Sequence, residues 1–129
     1  NFGINLGLAF QLQDDFLDTF GDYNFVGKKI GGDILENKKT VLFHLAKKNA
    51  NKKQIDKLHE LYDSKKLNSD LKIKKTTTLF KQTKADIDTL KLVNQYTKKA
   101  IDSLNNLSIN KNIKNEFIAV ANNLMKRDL

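Results

Sequence analysis

Residues 7–18 read Gly7-Leu8-Ala9-Phe10-Gln11-Leu12-Gln13-Asp14-Asp15-Phe16-Leu17-Asp18. Together with Phe2, Leu6 and Phe20, their apolar side chains recur at spacings of three, four and seven. That pattern predicts a helix over residues 2–20 buried on more than one side. Gly3 and Gly7 lie four apart, share a face and are expected to let another helix approach closely. Gly21 stands where a left-handed residue would end the helix. Asp14 and Asp18 are one turn apart, with Gln11 on the same side. Three carboxylates this close repel one another, and a hard cation relieves the repulsion. An all-oxygen set with no Cys and no nearby His points to Mg²⁺, with Mn²⁺ as the alternative, rather than Zn²⁺. Mg²⁺ usually takes one or two carboxylates plus substrate phosphate oxygens, so the cluster points to a phosphate ester or diphosphate. The competing reading is a solvated acidic end of a helix.

The following stretch, Gly27-Lys28-Lys29-Ile30-Gly31-Gly32-Asp33-Ile34-Leu35-Glu36-Asn37-Lys38-Lys39-Thr40, sets lysines at two places ten residues apart around a glycine pair. Glycine lets backbone N–H groups approach an anion, and lysine ammonium groups act as point charges for phosphate. Asp33 is placed to hold a metal-bound water or to orient Lys28 or Lys38. Read alone, such a segment is a charged surface loop over 21–39.

All six glycines fall within residues 3–32, and the remaining 97 residues have neither Gly nor Pro. That stretch lacks the residues that most readily make tight turns, and is expected to be helical. Helices are predicted at 40–50, 53–66, 70–83, 86–107 and 111–127, with Asn110 as N-cap of the last. Ile87, Leu90, Tyr96, Ile101, Leu104 and Leu107 form the expected stripe of the fourth; Ile113, Phe117, Val120, Ala121 and Leu124 form that of the fifth. Tyr62, Tyr96 and Met125 read as core, His44 as a helix histidine and His59 as surface. Thr76-Thr77-Thr78 is expected to mark a kink or a helix end.

The chain has 129 residues, no Cys, no Pro and no Trp. The absence of Cys excludes disulfides and thiolate chemistry and is compatible with an intracellular, cytoplasmic protein. No apolar run approaches the ~20 residues that span a bilayer, so a soluble chain is expected. The formal net charge is +8, distributed as −2 over residues 1–40 and +10 over 41–129. A basic helical module that binds nucleic acid is the alternative from a different functional class. With 22 Lys against a single Arg and no aromatic interleaving, the lysines read instead as a solvated surface. No nucleic-acid partner is expected.

Residues 7–18 resemble the second aspartate-rich motif of trans-prenyl diphosphate synthases, GxxFQxxDDxxD. Gly27-Lys28, Gly32-Asp33 and Lys38-x-Thr40 resemble the lysine loop of the same family, in the same order and at the same interval. The resemblance implies an all-α fold, a partial helical bundle of the isoprenoid-synthase type. It also implies the condensation of an allylic diphosphate with isopentenyl diphosphate by a farnesyl- or geranylgeranyl-diphosphate-synthase-like prenyltransferase, homodimeric in full-length form. On these positions Asp14 is the principal metal ligand. Asp15 and Asp18 supply a second or water-mediated ligand and an orienting acid. Lys28 and Lys38 contact the allylic diphosphate, and Thr40 belongs to the same substrate loop. Gln11 lies near the allylic chain, Phe10 walls the homoallylic pocket, and Asp33 supports Lys28 or a metal-bound water. Asp14-Asp15 is the sole Asp-Asp pair in the chain, so the family's first aspartate-rich motif is missing. Residues 1–129 are therefore expected to be the C-terminal part of one synthase domain, inactive alone and prone to self-association through uncovered apolar helix faces. A non-catalytic synthase-like subunit is the nearer alternative.

Overall fold

The computed structural model describes residues 1–21, 30–63 and 67–126. These are helical with no strand: α1 (Phe2–Phe20), α2 (Gly32–Leu35), α3 (Val41–Asn49), α4 (Lys52–Asp63), α5 (Ser69–Gln82), α6 (Ala85–Asn105) and α7 (Lys111–Met125). The expectation of an all-α bundle holds, and the helix ends lie within about two residues of those read from the pattern, save the end predicted at 66, which lies outside the described residues. The loop predicted over 21–39 contains the single-turn helix α2.

The helix starts follow local chemistry. The Asn1 side chain accepts from Ile4 N, and Asn68 accepts from Asp70 N and Leu71 N. Asn110 accepts from Asn112 N, as the sequence predicts. Asn51 and Gln54 form a reciprocal box, each side-chain oxygen accepting the other's backbone N–H. The three threonines do not break α5: the Thr77 and Thr78 hydroxyls donate to the Lys74 carbonyl while the helix continues.

The largest interface joins α1 and α6. The amino group of Asn1 donates to Ser103 Oγ, whereas Leu8, Leu12 and Asp15 share a pocket with Leu92 and Tyr96, so the two helices run antiparallel. The buried face of α6 is Ala85, Thr89, Val93, Ala100 and Leu104. This corrects the predicted stripe, of which Ile87 and Leu107 are exposed and only Leu104 is buried. Ala9 is fully buried on α1, whereas Gly3 and Gly7, expected to admit another helix, are exposed. A side chain on Gly7 would meet nothing within 4 Å, and one on Gly3 would meet only the Asn1 side chain, so that expectation is also corrected. Gly21 is extended, with φ −73°, rather than left-handed.

A second buried group lies beneath the loop. Ile34, Leu42, Phe43, Ala46, Leu58, Leu61, Tyr62, Leu79, Phe80 and Ala85 unite α2 to α6. Phe43 packs with its ring centroid 4.6 Å from that of Tyr62, a core residue as expected, the two rings tilted at 58°, while exposed His44 meets the Phe43 ring edge-on. His59, predicted at the surface, is half-buried. Tyr96 and Met125 are half-buried rather than core. The stripe of α7 is present but uncovered: Ile113, Phe117, Val120 and Leu124 are exposed, as are Ile4 and Leu8 of α1. No helix among the described residues is long and apolar enough to cross a membrane.

Candidate functional site

The aspartates of α1 point to different tasks. Asp18 is only 4% exposed, and its Oδ2 accepts from Asp33 N at 2.8 Å. Its backbone carbonyl accepts from Gly31 N at 2.6 Å. A carboxylate from α1 thus serves the first turn of α2, where the Gly31 N-cap has no side chain to offer. Asp15 does the same for α3, accepting from Val41 N while the side chain of Thr40, the N-cap residue, makes no capping bond. Burial pushes the Asp15 carboxyl above its ordinary range. The Val41 bond and the Lys38 charge oppose that push, and Asp14 and Asp18 add to it. Asp14 is exposed at the surface of α1.

Between these two anchor points the chain makes a tight turn. Asn37 has φ +56°; its N–H donates to Ile34 O at 3.1 Å, and Lys38 N donates to Asp33 O at 2.9 Å. This is a Schellman closure of α2 with asparagine in the left-handed position that glycine usually takes. The turn brings Lys38 Nζ to 4.0 Å from Asp33 Oδ1, on the surface. Asp33 also lies near the buried Tyr62, whose hydroxyl is pushed upward in pKa by burial and then by the Asp33 charge.

The outcome is a pocket of about 390 Å³ lined by Leu8, Gln11, Asp15, Lys38, Thr40 and His44, among others. It therefore gathers four of the residues singled out from the sequence: Gln11, Asp15, Lys38 and Thr40. Phe10, Asp14, Asp18 and Asp33 do not line it. Asp18 is buried, Asp33 is half-buried in α2, and Asp14 and Phe10 are exposed on α1. Lys28 and Gly27 lie outside the described residues. Among the described residues no group of three or more His or acidic side chains is arranged to hold a metal. Asp14, exposed on α1, is the kind of oxygen donor that a hard cation would take, whereas Asp18 one turn on is buried with Oδ2 on the Asp33 amide. A larger cleft, about 680 Å³, lies between α4 and α5. Lys53, Lys57, Lys74 and Lys75 line it without a carboxylate, and it holds none of the motif residues.

Sequence reasoning passed over two buried polar residues. Gln13, fully buried, donates from Nε2 to Met125 O at 2.9 Å and ties α1 to the end of α7. Lys72 is 5% exposed and donates from Nζ to Asn37 Oδ1. Neither carries a local signal, because each is fixed by a partner 35 or more residues away.

An acidic helix thus stands against a lysine turn in an all-helical frame. The chain belongs to the polyprenyl synthetase family, whose sequence pattern matches residues 1–80. It is 35% identical over 112 residues to a geranylgeranyl diphosphate synthase of Sulfolobus acidocaldarius, covering 84% of this chain and 32% of that one. It is 52% identical over 62 residues to a farnesyl pyrophosphate synthase of Kluyveromyces lactis, covering 48% and 18%. Among solved structures, a geranylgeranyl pyrophosphate synthase superposes with a TM-score of 0.89 at 37% identity, over 99% of this chain and 40% of that one. The chain thus spans well under half the length of these relatives.

Proposed function

We propose that this chain is the C-terminal, diphosphate-holding part of a Mg²⁺-dependent prenyltransferase that joins an allylic diphosphate to isopentenyl diphosphate. The reading rests on one observation above all. Gln11 and Asp15 from α1 meet Lys38 and Thr40 from the lysine turn in one pocket.

In the proposed reaction the allylic carbon–oxygen bond breaks and diphosphate leaves with the electron pair. The double bond of isopentenyl diphosphate attacks the allylic cation, and loss of a proton leaves a chain five carbons longer. Bound Mg²⁺ supplies positive charge where the leaving diphosphate gathers negative charge. In this account exposed Asp14 is the principal metal ligand, with Asp15 and Asp18 as a second or water-mediated ligand and an orienting acid. Asp15 and Asp18 also fix the loop through the Val41 and Asp33 amides. Lys38 contributes a point charge to the diphosphate, and Lys28 does the same by its place in the motif. Gln11 lines the site near the allylic chain, and Phe10 walls the pocket for the homoallylic substrate. The whole enzyme is read as a cytoplasmic homodimer.

The other side of the site, in this reading, comes from a segment carrying a first aspartate-rich motif, and residues 1–129 alone do not turn over. Exposed Ile4, Leu8, Phe117 and Val120 then supply faces for self-association. Transfer of labelled isopentenyl diphosphate tests the proposal. In a chain extended to include the first motif, Asp14→Ala should slow transfer by about two orders of magnitude or more with the fold intact. Wild-type turnover by residues 1–129 alone, or an unimpaired Asp14→Ala enzyme, would contradict it.

A further inference from the structure

We infer that Lys72 is a positioning residue for the site: from α5 it holds the left-handed Asn37 and so sets Lys38 and the start of α3 against the Asp15 pocket. The inference takes its purpose from the diphosphate reading above, but its structural basis is separate.

Lysine is rarely buried without a partner, because its ammonium group loses hydration. Lys72 is 5% exposed, and its partner is an amide oxygen, Asn37 Oδ1, rather than a carboxylate. That partner sits at the most demanding backbone position of the turn, φ +56°, which asparagine tolerates but does not require. The neighbour of Lys72 serves the other end of α2. Ile73 packs against Gly31, φ +92°, so closely that a Cβ there would lie 2.6 Å from Ile73 Cδ1. Two consecutive residues of α5 thus hold the two ends of one short helix. Ile73 does so by packing, Lys72 by a directed bond.

The consequence runs forward along the chain. Asn37 in the left-handed region lets Lys38 N reach Asp33 O, and Lys38 Nζ then stands 4.0 Å from Asp33 Oδ1. Two residues on, Thr40 is buried and Val41 N meets Asp15. If Asn37 relaxes toward negative φ, the Lys38 amide bond opens and the ammonium of Lys38 loses its fixed place. A side chain that merely fills space at position 72 would serve as well if it were methionine; a side chain that acts through Asn37 would not.

The test uses the 129-residue chain and two readouts. Amide exchange by NMR follows Asn37 and Lys38, with Phe43 and Leu58 as core references. Titration with inorganic diphosphate and Mg²⁺, followed by ³¹P NMR, reads the site. Lys72→Met should speed exchange at Asn37 and Lys38 about tenfold relative to the core references, as expected for a local opening. It should also weaken diphosphate binding about three- to tenfold through loss of positioning. Asn37→Gly removes the amide while glycine holds the left-handed turn by itself, so Lys38 exchange there should stay near wild type. Adding Lys72→Met to it should then change little, because the partner is already gone. Unchanged exchange at Lys38 in Lys72→Met overturns the inference, as does an equal further loss in the double variant. Should Lys72→Met fail to fold, Asn37→Asp carries the test: a carboxylate facing Lys72 should slow exchange at Lys38 relative to the core references, and unchanged exchange there overturns the inference. Absence of diphosphate binding by the wild-type chain counts against the proposed function, while the exchange result still decides the role of Lys72.

Discussion

Replacing Asp18 by alanine removes a carboxylate that is 4% exposed and leaves the Asp33 N–H without its 2.8 Å acceptor. A hydrogen bond to a charged group contributes about 1.5–3 kcal/mol, and the orphaned donor lies where water has little access. The expected loss for Asp18→Ala is therefore about 2–3 kcal/mol, or roughly 6–15 °C in Tm for a domain of this size. Asp18→Asn keeps an acceptor oxygen and should lose about half as much or less. Asp14→Ala, at an exposed position one turn away, should stay within about 0.5 kcal/mol of wild type. Urea denaturation followed by circular dichroism measures all three, with an unchanged m-value required for the comparison. The reasoning fails if Asp18→Ala is as stable as wild type. It fails equally if Asp14→Ala loses as much as Asp18→Ala, since the two aspartates would then share one task.

Three further outcomes follow from the packing. Gln13→Leu strands the Met125 carbonyl, with an expected loss of about 1–2 kcal/mol and faster proteolysis at the end of α7. Gly31→Ala forces a side chain onto Ile73 at φ +92° and should lose about 1–3 kcal/mol by the same denaturation assay. Tyr62 is held protonated in the fold by burial and by Asp33, while in the unfolded chain it ionises near 10.0. Its raised folded value means that stability falls as pH rises past 10. Tyr62→Phe should flatten that decline while leaving the slope near neutral pH unchanged, as measured by urea midpoints from pH 8 to 11.

The helices were legible because their signal is local. Apolar spacing, the Asn110 cap and the lack of glycine after residue 32 need no tertiary information. The orientation of α6 was not legible: Ile87 and Leu90 are the stronger hydrophobes, yet the buried face takes Ala85, Thr89 and Ala100. Small residues win where two axes approach, and hydropathy does not record that. The aspartate motif was visible as a cluster, but not its division of labour. Nothing near Asp15 or Asp18 in sequence reveals that each accepts from an amide, 26 and 15 residues ahead respectively. Asn37 was likewise hidden, because asparagine stands where glycine would have announced the turn. Lys72 looked like one of many surface lysines until burial set it apart.

The central claim is that the aspartate helix and the lysine turn together hold a metal-bound diphosphate. Isothermal titration of the 129-residue chain with inorganic diphosphate, with and without Mg²⁺, tests it most directly. The account predicts Mg²⁺-dependent binding that is abolished in Asp14→Ala and weakened in Lys38→Ala, with both variants as stable as wild type. Binding that ignores Mg²⁺, or that survives Asp14→Ala unchanged, would contradict it.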